Sequence, residues 1–173
     1  MPDFSRIYLS LGSNLGDRAQ NLERAIVALP GAGVRVLRRS AIYQTDPVDF
    51  LDQPLFLNCV LEAETSLPPE KLLKELQGIE RRMGSKKLIA SGPRIIDLDV
   101  IFYGSLALSN GEIEIPHPRM ADRRFVLVPL AELEPTLVHP VLHATVTELL
   151  EMTKDRSGVK IWQRAGGGEP DNR

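Results

Sequence analysis

The chain carries its most informative stretch at residues 95–103, which read Ile95-Ile96-Asp97-Leu98-Asp99-Val100-Ile101-Phe102-Tyr103. Apolar residues at alternate positions are typical of a β-strand, in which successive side chains point to opposite faces of the sheet. The predicted core face of this strand consists of Ile96, Leu98, Val100 and Phe102. Asp97 and Asp99 are then expected to lie side by side on the other face, about 7 Å apart at Cβ.

The segments before this strand alternate between strand-like and helix-like patterns. In chain order they are a strand at 7–11, a helix ended by Pro30, a β-rich segment at 34–45, a strand at 55–65 and a helix from Pro68 to Gly84. The order β-α-β-β-α-β predicts an α+β ferredoxin-like sandwich, in which helices cover one face of an antiparallel sheet. The rest is predicted to form an irregular C-terminal extension, with a buried segment at 125–130, a short helix at 146–152 and a short strand at 159–162.

Length and composition restrict the class of protein. A chain of 173 residues predicts one domain, here 1–165, followed by a disordered tail at 166–173 that is rich in glycine and charge. The net charge of -2 argues against a nucleic-acid binder. A single cysteine excludes an intramolecular disulfide, and neither a signal peptide nor a membrane span is visible. We therefore expect a cytoplasmic monomer.

The pair Asp97 and Asp99 has two interpretations. Aspartate is uncommon in strands, so the presence of two aspartates in one strand favours a functional role such as Mg²⁺ binding. Arg94, just before the strand, could then reach a phosphate through both ends of its guanidinium. The alternative is a half-exposed strand with a solvated acidic face.

Other candidates also allow a structural and a functional interpretation. The turn at 12–17 has no phosphate-loop pattern, and Ser13 or Asn14 could simply cap the next helix, with Asp17 placed favourably in its first turn. Lys86 and Lys87 belong either to a solvated helix end or to a cationic loop that closes over phosphates. The remaining candidates, each of which could also be structural, are His117 between two prolines and the scarce aromatic residues Phe56 and Phe125.

Taken together, several motifs closely resemble the 6-hydroxymethyl-7,8-dihydropterin pyrophosphokinase family. They are Leu11-Gly12-Ser13-Asn14-Leu15-Gly16-Asp17, Tyr43 to Thr45, Asp52-Gln53-Pro54 with Phe56-Leu57-Asn58, Gly92-Pro93-Arg94 with Asp97-Leu98-Asp99, and Pro116-His117-Pro118 with Arg123 and Phe125. Each motif is weak alone, but their order and spacing are highly specific. The resemblance runs from about residue 7 to residue 150.

The resemblance implies transfer of the β,γ-pyrophosphoryl group of ATP to the hydroxymethyl group of a pterin, with release of AMP, in folate biosynthesis. It implies two Mg²⁺ ions on Asp97 and Asp99, with Arg94 as a further catalytic residue. The implied pterin site consists of Thr45, Val48, Phe56, Asn58 and Phe125. The implied ATP site consists of Gln77, Glu80, Lys86, Lys87, Arg94, Val100, His117 and Arg123.

The sequence departs from the family pattern in the loop between Gly84 and Gly92. Ser85 and Ala90 stand where basic residues are common, and Ser91 where tryptophan is common. Lysine is a point charge without the guanidinium fork, so Lys86 and Lys87 would be imperfect substitutes. An alternative from another class is a non-catalytic ferredoxin-like sensor module, which would need no paired metal carboxylates.

Overall fold

A computed structural model describes residues 3–85 and 92–164 of the chain. The elements are β1 (Ser5–Ser13), α1 (Arg18–Ala28), β2 (Val34–Arg39), β3 (Tyr43–Thr45), β4 (Phe56–Thr65), α2 (Pro69–Arg82), β5 (Asp97–Tyr103), β6 (Leu108–Ser109), β7 (Glu114–Ile115), α3 (Arg124–Leu133), α4 (Val146–Met152) and β8 (Val159–Ile161). The predicted order β-α-β-β-α-β is confirmed through β5. The predicted β-rich segment at 34–45 is divided into β2 and β3.

The main sheet has six strands in the order β5-β1-β4-β3-β8, with β2 paired to β4 beside β3. All of its pairings are antiparallel. The long strand β4 therefore holds two short partners along one edge: β2 lies opposite its second half and β3 opposite its first half. This arrangement confirms the predicted α+β ferredoxin-like class and brings Thr45 next to Phe56.

One face of the sheet is buried by α1 and α2. Both helices have the apolar residues at helical spacing that the sequence predicts, and their stripes meet leucines from the central strands. The buried core on this face includes Leu9, Leu11, Leu22, Leu57, Leu61, Leu72, Leu76 and Leu98. Because the large apolar side chains of the central strands point towards α1 and α2, the side chains at the alternate positions point to the second face of the sheet.

A bulge in β5 reverses part of the predicted alternation. The register with β1 pairs Leu9 with Val100 but Tyr8 with Phe102, so Ile101 is an extra residue on β5. The prediction that Phe102 faces the same core as Leu98 and Val100 is therefore wrong. The Phe102 ring lies on the opposite face, where it contacts the Tyr8 ring edge-on at 6.3 Å.

Helices α3 and α4 cover half of this second face. Their buried side chains pack against Tyr8, Val60 and Phe102 in a second apolar cluster. The predicted buried segment at 125–130 is part of α3, and the predicted helix and strand near the C terminus are α4 and β8. The other half of the second face, at the Ser10–Gly12 end of β1, is left for the site. In the ranges 3–85 and 92–164, no helix is both long and apolar enough to cross a membrane.

Candidate active site

The uncovered half of the second sheet face forms a cavity. It is lined by Ser10, Gly12, Thr45, Asp46, Val48, Phe56, Asn58, Gly92, Arg94, Asp97, Asp99, His117, Arg123 and Phe125. The predicted pterin residues all line this cavity, as do the predicted metal residues. Ser10 was not predicted, because it approaches the site through the pairing of β1 with β5, which are distant in sequence. Asp46 was predicted only as part of the backbone range 45–48, and its side chain was not singled out.

The acidic pair lies on the floor of the cavity. Asp97 is opposite Gly12 and Asp99 is opposite Ser10 in the pairing of β5 with β1. Both aspartates are half-buried and line the cavity, which agrees with the face predicted from the sequence. Their small neighbours on β1 leave space above the two carboxylates for another group.

The donor set fits Mg²⁺ in the way that phosphate-transferring proteins commonly hold it. Among the residues that the structure describes, no group of three or more histidine, cysteine or acidic side chains is arranged to hold a metal ion. Mg²⁺ is usually held by one or two carboxylates together with substrate phosphates and water. Asp97 and Asp99 are therefore the residues that could hold such an ion together with a phosphorylated ligand.

A buried polar pair forms the wall nearest to Phe56. The Asn58 side-chain nitrogen donates a hydrogen bond to the Thr45 hydroxyl oxygen at 2.6 Å, and both residues are almost fully buried. Gly12 is required beside them, since an added Cβ would lie 2.6 Å from the Asn58 amide oxygen. A buried amide and hydroxyl beside aromatic rings can bind the polar edge of a flat heterocycle.

The cavity is also lined by Arg94, Arg123 and His117, which we call the cationic wall. The Arg123 guanidinium lies 5.4 Å from the centre of the Phe125 ring, a cation–π contact. Burial lowers the pKa of Arg123, and Asp99 opposes this change by raising it. Arg94 is also buried, and its backbone nitrogen donates to the Asn14 amide oxygen at 2.8 Å. Two guanidinium groups thus share the cavity with the carboxylates of Asp46, Asp97 and Asp99.

His117 is a neutral hydrogen-bond donor in this cavity. Burial, followed by the positive charge of Arg123, lowers the pKa of His117 to about 4, while Asp97 opposes the change. The His117 Nδ1 accepts a hydrogen bond from the Arg119 backbone nitrogen at 3.1 Å. A neutral ring with Nδ1 as acceptor carries its proton on Nε2. That N–H can donate to a phosphate oxygen.

The lowered pKa of His117 predicts a loss of stability in acid. The unfolded pKa is about 6.5 and the folded value is lower, so the unfolded state binds the extra proton as the pH falls from 6.5 towards 4. Between pH 7 and pH 5, we expect the free energy of unfolding to fall by about 1–2 kcal/mol less in His117→Gln than in the wild type. Urea unfolding at both pH values measures this. The exposed His143→Gln is the control, and an unchanged pH dependence in His117→Gln would contradict the assignment.

The cap of α1 is Asp17, which was predicted to lie in the first turn, and not Ser13 or Asn14; the Asp17 side chain accepts from the Gln20 backbone nitrogen. Capping by Asn14, one of the predicted alternatives, is not seen, because that side chain is fully buried and bonded elsewhere. Its amide oxygen accepts from Arg94, and its nitrogen donates to the Gln53 side chain and to the Pro54 carbonyl oxygen. Asn14 therefore joins the Arg94 segment to the loop between β3 and β4.

Some predicted ATP residues do not line the cavity. Gln77 is exposed on α2, and Val100 packs against the core under α1 and α2. Glu80 is buried, and its carboxylate accepts from the Leu98 backbone nitrogen at 3.0 Å, which ties α2 to the start of β5. Lys86 and Lys87 lie outside the described residues, as does the predicted tail at 166–173. The ATP roles of these residues stay predictions.

Comparison with known proteins identifies relatives over most of the chain. Residues 8–135 match the family model of 7,8-dihydro-6-hydroxymethylpterin-pyrophosphokinase (HPPK). The 2-amino-4-hydroxy-6-hydroxymethyldihydropteridine pyrophosphokinase of Bacillus subtilis is 38% identical over 161 residues, which are 92% of this chain and 92% of that protein. The protein of the same name in Methylorubrum extorquens is 41% identical over 157 residues, which are 90% and 98% of the two chains.

Other relatives are much longer. The folic acid synthesis protein fol1 of Pneumocystis carinii is 44% identical over 153 residues, which are 88% of this chain but 21% of that protein. This chain therefore spans about a fifth of the length of its fungal relative.

A crystal structure of Plasmodium falciparum HPPK-DHPS with pterin and p-hydroxybenzoate has the same fold, with a TM-score of 0.69 at 16% identity, covering 86% of this chain and 42% of that one. The family match and the two relatives of equal length agree with it. The chain belongs to the 7,8-dihydro-6-hydroxymethylpterin-pyrophosphokinase family.

Proposed function

We propose that the protein transfers the β,γ-pyrophosphoryl group of ATP to the hydroxymethyl group of 6-hydroxymethyl-7,8-dihydropterin and releases AMP. The observation that carries this proposal is that one cavity is lined by the Asp97 and Asp99 carboxylates together with aromatic, amide and cationic side chains. An aromatic and amide wall suits a flat heterocycle, and a cationic wall suits phosphates. The two substrates would then meet at the carboxylate pair.

The proposed pterin site uses the aromatic and buried polar side chains. Phe56 and Phe125 would contact the two faces of the ring, which is how aromatic side chains commonly bind flat heterocycles. Asn58 and Thr45 hold each other in place through their 2.6 Å hydrogen bond, so their remaining donor and acceptor capacity has a fixed direction. The Val48 backbone would complete the recognition of the ring edge. This arrangement presents the hydroxymethyl group towards the acidic pair.

The proposed ATP site uses the cationic wall. Arg94 and Arg123 would bind phosphate oxygens, and the Nε2–H of His117 would donate a further hydrogen bond. Asp97 and Asp99 would hold Mg²⁺, two ions in our proposal, and Mg²⁺ bound there supplies charge neutralisation and lowers the pKa of the substrate hydroxyl. Lys86 and Lys87 would add positive charge from the loop after α2.

The reaction needs positioning and charge stabilisation more than a protein base. The hydroxymethyl oxygen attacks the β-phosphorus, the bond between the α,β-bridging oxygen and that phosphorus breaks, and AMP leaves with the bridging oxygen. The hydroxyl proton passes to solvent. The residues of the cavity hold the two substrates in line and reduce the repulsion between the attacking oxygen and the phosphates.

A non-catalytic sensor would share the fold, but the relatives of equal length are named as pyrophosphokinases. The AMP-release assay separates the two functions: purified protein is mixed with ATP, Mg²⁺ and the pterin, and AMP is measured. We expect AMP and pterin diphosphate in equal amounts, with neither formed when the pterin or Mg²⁺ is left out. Binding of both ligands without AMP release would favour the sensor. A single catalytic domain at 1–165, a monomeric state and a cytoplasmic location belong to the same proposal.

A further inference from the structure

The segment that follows α4 contacts both sides of the pterin half of the cavity. Asp155 is half-buried, and its carboxylate accepts hydrogen bonds from two backbone nitrogens. One is that of Arg124 at 2.8 Å, and the other is that of Ser157 at 2.9 Å. The Arg124 guanidinium returns to the same segment and donates to the Ser157 carbonyl oxygen at 2.6 Å. Asp155 is therefore bonded both to its own segment and to the start of α3.

The contact with Arg124 completes the N terminus of α3. The first backbone N–H groups of a helix have no partner within the helix and are usually satisfied by a side chain just before it. The residue in that position is Arg123, which makes no capping hydrogen bond with its side chain. Asp155 supplies the missing acceptor from 31 residues further along the chain, with the charge that a helix N terminus favours. Phe125, the next residue after Arg124, lines the cavity.

Through Gly158, the same segment is also bonded to Asp46, in the wall of the cavity formed by residues 45–48. The Gly158 nitrogen donates to the Asp46 carboxylate at 2.7 Å, and the Asp46 nitrogen donates to the Gly158 carbonyl oxygen at 3.1 Å. The next residue, Val159, pairs with Thr45 in the sheet. An added Cβ on Gly158 would lie 2.9 Å from the Asp46 carboxylate. The wall at 45–48 is therefore held against this segment at close range.

We propose that Asp155 is a positioning residue, and that residues 155–159 form a clip that sets the distance between Phe125 and the wall at 45–48. This inference rests on the proposed function, since it assigns the clip to the pterin subsite. Burial raises the pKa of Asp155, but hydrogen bonds from Arg124 and Ser157 outweigh burial and leave the pKa lowered. The carboxylate that holds the clip is thus charged at neutral pH.

The clip is expected to affect the pterin more than ATP. Arg94 is held by Asn14, and His117 is held by the Arg119 backbone, so these parts of the cationic wall have supports outside the clip. Phe125, in contrast, directly follows Arg124, which is bonded to the clip, and the wall at 45–48 is bonded to the clip through Asp46. Loss of Asp155 should therefore widen the pterin subsite while most of the phosphate side keeps its geometry.

The test compares Asp155→Ala, Asp155→Asn and Gly158→Ala with Glu148→Ala. Glu148 completes the capping box of α4 and does not line the cavity, so its loss weakens the same C-terminal region without affecting the clip. We expect Asp155→Ala to raise the KM for the pterin about tenfold, below the roughly 100-fold that a 1 Å misplacement can cause. The KM for ATP should change less, by about two- to threefold, because Arg123 adjoins Arg124 and contacts the Phe125 ring, whereas Arg94 and His117 keep their own supports. Asp155→Asn retains one acceptor oxygen and should be intermediate, and Gly158→Ala should raise the pterin KM in the same direction.

Amide hydrogen exchange provides a second measurement that does not depend on turnover. In Asp155→Ala, exchange at Arg124 and Ser157 should accelerate, whereas Glu148→Ala should leave those two amides unchanged. Equal increases of both KM values in Asp155→Ala, or a pterin KM no different from that of Glu148→Ala, would overturn the clip while the proposed function stands. A wild-type protein that neither binds nor consumes the pterin would overturn both, so the two failures are distinguishable.

Discussion

Asp97→Ala and Asp99→Ala should each lower the rate of AMP release by about 100-fold or more, the scale on which one preorganised electrostatic group acts. Both carboxylates line the cavity from one strand face, and ATP would bring further negative charge towards them. Without a bound cation this arrangement is repulsive, and Mg²⁺ makes it attractive. Steady-state assays at saturating Mg²⁺ and both substrates measure the effect on turnover itself.

The matching control removes an exposed carboxylate outside the cavity. Glu112→Ala, in the turn between β6 and β7, changes the net charge by the same amount and should retain wild-type turnover. Thermal unfolding without Mg²⁺ should differ little between wild type and the Asp97 and Asp99 variants. Each substitution relieves the repulsion between the two carboxylates and also removes an attraction to Arg123, and these two effects oppose each other. Near-normal rates in either aspartate variant would mean that the pair is only a solvated acidic face and that the metal binds elsewhere.

Local sequence patterns located the acidic pair because a strand imposes a strict two-residue period. The faces of Asp97, Leu98 and Asp99 could be predicted without knowing which strands pair with β5, because alternation alone places the two carboxylates on one face and Leu98 on the other. The same rule failed three residues later at Phe102. The bulge at Ile101 arises from the pairing of β5 with β1, and such a register shift leaves no trace in the alternation of β5 alone.

Contacts between distant segments account for the other differences. Asparagine is a common helix cap, so the local sequence predicts a cap at Asn14. The local sequence does not show that the Asn14 side chain instead joins Arg94 to Pro54. The Asp46 carboxylate is bonded to Gly158 because β8 returns beside β3, more than 100 residues further along the chain. Periodicity and capping rules use only neighbouring residues, so they do not predict the contacts of side chains whose partners are far away in sequence.

The aromatic residues give the second large effect that we expect. Phe56→Ala should weaken pterin binding by about 10- to 100-fold, because an aromatic side chain that stacks on a flat heterocycle contributes about 1–3 kcal/mol. The affinity for ATP should change less than twofold, since Phe56 lies beside Gly12 and Thr45 and is not among the residues proposed to bind phosphate. Calorimetric titration with the pterin and, separately, with Mg-ATP measures both affinities.

Phe125→Ala should lower the pterin affinity to a similar extent but with a second consequence. The Arg123 guanidinium lies over the Phe125 ring, so removal of the ring also loosens a residue of the cationic wall. We therefore expect a modest loss of ATP affinity, about two- to fivefold, which corresponds to a cation–π contact of about 0.5–1 kcal/mol. Phe125→Leu keeps the apolar volume without the π-system and should show which part of each loss is due to the ring.

The comparison with Phe4→Ala separates stacking from a general loss of aromatic surface. Phe4 is exposed and adjoins the end of β1 that is remote from Gly12, so its removal should leave both affinities unchanged. If Phe56→Ala weakened ATP and pterin binding equally, the two-wall arrangement of the cavity would be wrong, because Phe56 would then support the site as a whole. A selective loss for Phe56 and a mixed loss for Phe125 would instead place the pterin ring between the two aromatic side chains, with Arg123 at its phosphate side.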